Sequence, residues 1–542
     1  MSGTRDLKEV GVIVGEASSH EFLFASSSED YPSRWEYLLV YSKEEVDGRV
    51  SEVPVLAQVE KIISASQALS IERDVEALKR IIAAQIQDVR TWGRARVLGY
   101  LSSDGTQILQ PRRAVTPGRP VYIAPKELLA NFYSLPPEKG LFIGYLITRR
   151  DVEAHVSVEG FRRHLAIIAQ TGAGKSYCAG VLIEELLRKG ATIIVLDPHA
   201  DYVFLTFSRD NSYHEFSNRV TVYRNPASTG RYVGKNLGNV TPYEIAFPDL
   251  EPDEVCDIAR IPENASVIRD AVRGALESLR GRHYTIEDLI SALEKPSWIE
   301  TDERGKPDRL LLSGCVRAIK YIRSLTRLRV FTLSSTMVTD MLRPMSVSVI
   351  DLSGLEDKAM NYIASRILYD VYEAVSNGDY DFPVYIFIEE AHRFVPPKEK
   401  GWTYAAPIIN KIAAEGRKFG IFLVLITQRP SKVDQDSLSQ CNSQIIMRLT
   451  NPDDQAAVRS SSERLSADLL EDLPGLNPGE CVIIGEITKV LLILKVRSRI
   501  TKEGGADVDV VSRLAESRRR VEAEARLRLE GMGSKPFTGE LE

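Results

Sequence analysis

One stretch constrains this chain more than any other: Ala169-Gln170-Thr171-Gly172-Ala173-Gly174-Lys175-Ser176. It follows the apolar run 164–168. It precedes 177–189, where Val181, Leu182, Glu185, Leu186 and Lys189 carry helical spacing up to Gly190. A strand that turns through glycines into a helix is built to surround phosphate. Successive backbone N–H groups turn inward, and the helix N-terminus adds its partial positive charge. Gly172, Ala173, Gly174, Lys175, Ser176 and Tyr177 are therefore the expected nucleotide contacts, with Lys175 reaching the β- and γ-phosphates and the Ser176 hydroxyl holding Mg²⁺. The first glycine of the usual pattern is here Ala169; the two glycines nearest the phosphates are kept.

A second motif lies downstream at Pro383-Val384-Tyr385-Ile386-Phe387-Ile388-Glu389-Glu390-Ala391-His392. An apolar strand ending in two carboxylates supplies what Mg-dependent NTP hydrolysis requires: one acid for the metal's water shell and one to orient the attacking water. Adjacent strand residues point to opposite sides, so the two acids are expected to do different jobs. Glu389 is assigned to the metal and Glu390 to the water. Two further strands fit the same sheet. The run 191–196 ends in Asp197-Pro198-His199-Ala200-Asp201-Tyr202, and 421–426 ends in Thr427-Gln428-Arg429-Pro430. Continuous apolar runs are the mark of parallel strands buried on both faces, and ligands bind beyond their carboxyl ends. Asp197 and Asp201 either face the nucleotide or a neighbouring subunit, or start a helical turn. Gln428 is expected to sense the γ-phosphate, and Arg417, from Glu415-Gly416-Arg417-Lys418-Phe419-Gly420, to neutralise charge in the transition state of a neighbouring subunit. Arg149, Arg150, Arg162 and Arg163 precede the nucleotide strand either as phosphate ligands or as a solvated edge. Arg163 is carried forward as a nucleotide or subunit-interface contact.

The rest of the chain divides around these motifs. Short β-branched and aromatic runs at 10–25, 37–41, 53–63, 95–101 and 120–123 predict a small antiparallel barrel, interrupted by an amphipathic helix through Val75, Leu78, Ile82, Ile86 and Val89. Residues 136–140 read as a linker. From 250 to 330 the spacing turns helical, an insertion into the α/β core. Its basic residues Arg317, Lys320, Arg323, Arg327 and Arg329 read as a solvated face in preference to a nucleic-acid site. In the loop 395–404, Lys398, Lys400 and Trp402 interleave charge with an aromatic and are read either as the DNA contacts or as part of a plain surface loop. Runs 480–484 and 489–496 predict a closing hairpin. Residues 508–529 predict a charged helix bracing subunits, with a disordered tail from Gly531.

Composition narrows the class. A chain of 542 residues with 44% hydrophobic and 27% charged residues predicts about three or four globular units. The polar start and the lack of any apolar run near ~18 residues predict a cytoplasmic protein with no membrane contact. Five cysteines without a C-x-x-C pair predict buried thiols, not disulfides or zinc. A net charge of -6 confines any DNA contact to a local groove or channel.

In order and spacing, the phosphate loop, Asp197-Pro-His-Ala-Asp-Tyr202, Ile388-Glu-Glu-Ala-His392, Glu415-Gly-Arg-Lys-Phe-Gly420 and Thr427-Gln-Arg-Pro430 behind a small barrel resemble the HerA family, archaeal hexameric DNA translocases related to FtsK-type pumps. The resemblance implies a RecA-like P-loop ATPase core using ATP and Mg²⁺, a homo-hexamer with duplex DNA in its channel, and work with the nuclease NurA, docked on the barrel, in resecting DNA ends for recombinational repair. It also implies that Lys175, Ser176, Glu389, Glu390 and Gln428 form one half of each ATP site and that Arg417 is supplied in trans. The expected organisation is an α/β protein: barrel 1–140, core 141–249 and 331–500, helical insertion 250–330, and C-terminal brace and tail 501–542. The rival reading is an ATP-gated clamp that loads a nuclease on DNA ends without sustained movement.

Overall fold

The computed structural model describes residues 7–46, 48–84, 88–301, 306–462, 465–505 and 510–533. Its first strands are Glu9–Ala17 (β1), Glu21–Ser26 (β2), Tyr37–Val46 (β3), Arg49–Ala65 (β4), Arg90–Leu101 (β5), Ile108–Leu109 (β6) and Pro120–Ile123 (β7). They pair in the order β2-β1-β7-β3-β4-β5-β6, and a β2–β5 ladder closes the first six into a barrel with β6 hung on its rim. Closure leaves those six strands no free edge. Phe22, Phe24, Leu38, Val40, Val55 and Val97 fill the interior. The interrupting helix is shorter than its apolar spacing predicts: it runs Val75–Ala83, capped by the Asp74 side chain, and none of its residues is buried. Ile86 lies outside the described residues, and Val89 is past the helix end.

Further strands are Gly140–Leu146 (β8), Glu153–Ser157 (β9), Leu165–Ile168 (β10), Thr192–Asp197 (β11), Val220–Arg224 (β12), Val240–Pro242 (β13), Ile245–Ala246 (β14), Phe331–Thr332 (β15), Ser346–Asp351 (β16), Val384–Ile388 (β17), Ile421–Thr427 (β18), Ser443–Ile446 (β19), Glu480–Ile484 (β20) and Leu492–Val496 (β21). Among the described residues, twelve of these form one sheet in the order β13-β12-β16-β11-β17-β18-β10-β19-β20-β21-β8-β9. The strands from β13 to β19 are parallel, and the β20–β21 hairpin continues the sheet antiparallel. Two cores form because side chains alternate across the sheet. Ala166, Ile168, Ile194, Leu196, Ile386 and Ile388 pack on one face with the insertion helices. Leu165, Ile167, Ile193, Val195, Phe387 and Ile426 pack on the other with the helix Lys175–Arg188.

The 136–140 segment is no loose tether. Tyr37, Leu39, Leu56 and Leu98 of the barrel and Leu129, Phe132 and Tyr133 of the helix Lys126–Tyr133 join the second core directly. The insertion leaves through β14 and returns through β15, which pair in parallel, and its helices Pro252–Ile258, Ser266–Leu279, Ile286–Glu294 and Arg309–Ile322 pack back into the first core. All five cysteines are buried and unpaired. The C-terminal helix runs Val510–Gly533, two residues beyond the expected start of the tail; 534–542 lie outside the described residues. No helix among the described residues is long and apolar enough to cross a membrane.

Candidate nucleotide site

β10, β18, β17 and β11 lie near one another in parallel, so everything that follows each strand emerges at one edge of the sheet. The phosphate loop follows β10. Its left-handed residues are Gly172 (φ 76°) and Gly174 (φ 104°), whereas Ala169 has no positive φ and donates its N–H to the Thr427 carbonyl at 3.2 Å. That explains the missing first glycine: position 169 still behaves as strand, and only the two retained glycines need the conformation that a Cβ disfavours. Gly174 serves as the N-cap of Lys175–Arg188, so the first N–H groups of that helix open toward the loop.

The acids arrive from β17, which β18 separates from the phosphate-loop strand. β17 ends at Ile388, and Glu390 adopts a left-handed conformation (φ 52°, ψ 49°). This changes the expectation that the two acids face opposite ways. The alternation holds only while the chain stays extended, and the reversal at Glu390 brings both carboxylates to one ammonium. Lys175 bonds Glu389 and lies 3.2 Å from Glu390 Oε1. A left-handed non-glycine residue costs roughly 1–3 kcal/mol and persists where surrounding structure demands it. The Tyr202 hydroxyl donates to the other Glu389 oxygen at 2.6 Å. Burial pulls the Lys175 ammonium down, but Glu389 and Glu390 outweigh it and hold it above its ordinary value. Burial pushes the Glu389 carboxyl up against the opposing pull of Lys175 and Tyr202. Glu390 Oε2 is buried without a hydrogen-bond partner; His392 Nδ1 is 3.2 Å away but not aligned to donate, and burial lowers the imidazole's affinity for a proton.

β11 contributes through its C-terminal turn. Buried Asp197 accepts the N–H groups of Asp201 (3.0 Å) and Tyr202 (2.8 Å), which shapes the turn so that Asp201 Oδ2 accepts the Ser176 hydroxyl at 2.9 Å. From β18, Gln428 accepts a hydrogen bond from Thr171 across the mouth of the loop. Thr171, Lys175, Ser176, Asp201, Glu390 and Gln428 line a cleft of about 900 Å³ together with Tyr177, Arg231, Lys495, Ser498, Glu503, Gly504 and Gly505. Hydroxyl and carboxylate oxygens from Ser176, Asp201 and Glu389 form a hard donor set of the kind Mg²⁺ takes beside phosphates, so the residues fit that ion.

Three expectations change here. Arg163 precedes β10, whereas the phosphate loop follows it; the Arg163 guanidinium pairs instead with Glu486 at 3.3 Å and does not line the cleft of its own subunit. Lys398 pairs with Asp436 at 2.9 Å, and Trp402 packs under Arg260, 4.4 Å from its ring centroid, so two of the three expected DNA contacts already have partners within the chain. The cut at 500/501 runs through the cleft wall. Gly504 donates its N–H to the Asp201 carbonyl at 2.8 Å, and a Cβ there would sit 2.0 Å from the Ala200 oxygen. This strap is anchored by buried Arg497, which bonds Glu184 (2.9 Å) and Glu185 (2.8 Å) of the phosphate-loop helix. The Gly504-Gly505 pair was the sequence signal for it. Arg417, expected to act in trans, is exposed, precedes β18 and lies outside the cleft of its own subunit.

A family model described as "Helicase HerA, central domain" matches residues 141–371. A probable helicase of Methanocaldococcus jannaschii is 30% identical over 524 residues, covering 93% of each chain. The chain belongs to the HerA helicase family. The DNA double-strand break repair helicase HerA of Pyrococcus furiosus is 28% identical over 563 residues, 93% of this chain and 96% of that one. Among solved structures, the bacterial conjugative coupling protein TrwB, lacking its N-terminal segment, aligns with 13% identity and a TM-score of 0.47, over 70% of this chain and 93% of its own. As a HerA-family chain with this site, the protein is an ATP-hydrolysing enzyme of the helicase class.

Proposed function

We propose that the chain assembles as a homo-hexamer that hydrolyses Mg·ATP between subunits and drives duplex DNA through its channel, acting with a NurA-type nuclease in end resection and recombinational repair. The observation that carries this reading is the division of the site across the sheet. Lys175, Ser176, Asp201, Glu389, Glu390 and Gln428 meet at the carboxyl edge, while Arg417 stands at the amino edge of β18. Seven strand residues span about 20 Å, too far for Arg417 to reach its own cleft, so a neighbouring subunit has to complete it.

Within one subunit, Lys175 exchanges its carboxylates for the β- and γ-phosphates as nucleotide enters. Loss of that pairing frees Glu390, whose unpartnered oxygen orients the attacking water and takes its proton. Glu389 and Ser176 would hold Mg²⁺, which would supply charge neutralisation as negative charge develops on the phosphate. Gln428, already bridged to Thr171, reports the γ-phosphate to β18, and Arg417 from the neighbour stabilises the transition state. The barrel contributes no side chain to the cleft among the described residues and serves as the nuclease's docking module. The naming of relatives as DNA double-strand break repair helicases supports the repair setting.

The test is ATP-dependent displacement of a third strand bound to linear duplex DNA, comparing wild type with Glu390→Gln. Displacement by wild type alone is expected. ATP-dependent retention on DNA with no displacement would replace the motor with a clamp.

A further inference from the structure

Six basic residues in and just after the last insertion helix have no role in the cleft. From Arg309 to Thr339 the sequence holds Arg309, Arg317, Lys320, Arg323, Arg327 and Arg329 and no acidic residue, in a chain whose acids outnumber its lysines and arginines by 75 to 69. The structure orders this charge. The helix Arg309–Ile322 buries Gly314, Cys315, Ala318 and Ile322, which leaves Arg309, Arg317 and Lys320 exposed on the opposite face, with Arg323 at its C-cap and Arg327 and Arg329 just beyond. Three other arginines in and around the insertion are neutralised, whereas Arg280 and Arg282 make no ion pair among the described residues: Arg269 pairs with Asp253 and Asp257, Arg273 with Asp253 and Asp270, and Arg366 with Glu254 and Asp370. On the basic face only Arg323 is paired, with Glu294 at 2.9 Å; the other five make no ion pair among the described residues.

Unpaired like charges on one ridge repel one another, and a polyanion relieves that repulsion. At 1.5 Å per residue Arg309 and Arg317 lie about 12 Å apart along the axis, close to the width of the major groove, so the ridge spans from one phosphate strand to the other. We propose that this face of the insertion is a second, sequence-independent contact for duplex DNA, made to phosphates through Arg309, Arg317, Lys320, Arg327 and Arg329. It rests on the translocase reading for its choice of DNA over an acidic protein. The insertion packs on the face of the central sheet that carries Ile386 and Ile388, and none of these basic residues lines the nucleotide cleft, so this hold on DNA is separate from the nucleotide contacts.

The test is the salt dependence of binding to a labelled linear duplex. Each phosphate contact contributes a slope of about 0.9 in log K against log salt. Replacing both Arg317 and Lys320 with Ala is expected to reduce the slope by at least about 1 while ATP hydrolysis without DNA stays unchanged. The same charge removed at the barrel helix and the residue before its N-cap, as Lys79→Ala with Arg73→Ala, is expected to leave the slope as it was. A wild-type slope in the Arg317/Lys320 variant, or an equal loss in the barrel variant, would overturn the proposal and leave the motor standing. Failure of the wild type to bind duplex DNA at all would overturn both.

Discussion

At the residue scale the site turns on one exchange. Lys175 is held by Glu389 and Glu390 where phosphate oxygens belong, and Glu390 reaches it only by leaving the strand conformation. Nucleotide binding therefore breaks ion pairs inside the cleft as it makes new ones, so Lys175 and Glu390 separate in their effects. Lys175→Ala is expected to lose both nucleotide binding and turnover, measured by nucleotide titration and phosphate release. Glu390→Gln keeps the acceptor but not the base, so it should bind ATP normally and hydrolyse it roughly 10²–10⁴-fold more slowly. Normal turnover in that variant would remove Glu390 from the water. Buried His164 makes a separate prediction. Its Nδ1 accepts the Leu423 N–H at 3.0 Å and its Nε2 lies 3.1 Å from the Ala413 carbonyl, which ties β18 to the helix Ala406–Glu415. Burial, opposed by the Ala413 hydrogen bond and reinforced by Arg417, lowers its pKa to about 4 from the usual 6.5. A depressed pKa gives stability that is present above pH 6.5 and lost as the pH falls through 4, worth about 3 kcal/mol over the full interval. Denaturant unfolding at pH 7.5 and 4.5 is expected to show a smaller acid loss in His164→Gln than in wild type; equal losses would assign the acid sensitivity elsewhere.

At the element scale, the buried strands were legible because parallel strands covered on both faces read as continuous apolar runs, as 193–196 and 421–426 do. The phosphate loop was legible because its function fixes its spacing, and the hairpin β20–β21 fell where its two runs predicted. What the sequence hid has three physical causes. The convergence of the two acids depends on a local reversal at Glu390 that no periodicity encodes. Arg163 is twelve residues from Lys175 along the chain, but an intervening strand separates it from the loop, since a strand carries its two ends to opposite edges. The strap at 498–505 closes the cleft through contacts some three hundred residues apart, such as Gly504 with Asp201, which local pattern does not reveal. That strap makes its own prediction. A Cβ at Gly504 collides with backbone at Ala200, so Gly504→Val is expected to displace the turn that carries Asp201 and to weaken Mg·ATP binding several-fold, with Lys175 and Glu390 intact. Unchanged nucleotide affinity would show that the strap is only a cover.

At the scale of the whole molecule, the proposed ATP site is divided: Lys175, Ser176, Asp201, Glu390 and Gln428 line one cleft, and Arg417 lies outside it. Arg417→Ala is expected to bind ATP normally and to lose roughly 10³-fold or more in turnover, the scale of a missing arginine finger. Mixing it with Lys175→Ala subunits should restore activity, because each supplies what the other lacks; two inactive populations that stay inactive together would place Arg417 in its own subunit's chemistry or in none. The barrel and the insertion each join the ATPase core through a shared apolar interior, on opposite faces of the sheet, and the insertion leaves and returns through β14 and β15.

The measurement that tests the account most directly is steady-state ATP hydrolysis by the purified protein with and without linear duplex DNA, at low and moderate salt. The account predicts strong stimulation by DNA that fades as salt rises, absent in Glu390→Gln. Hydrolysis indifferent to DNA at both salt concentrations would contradict it, because the catalytic cycle would then turn without its track.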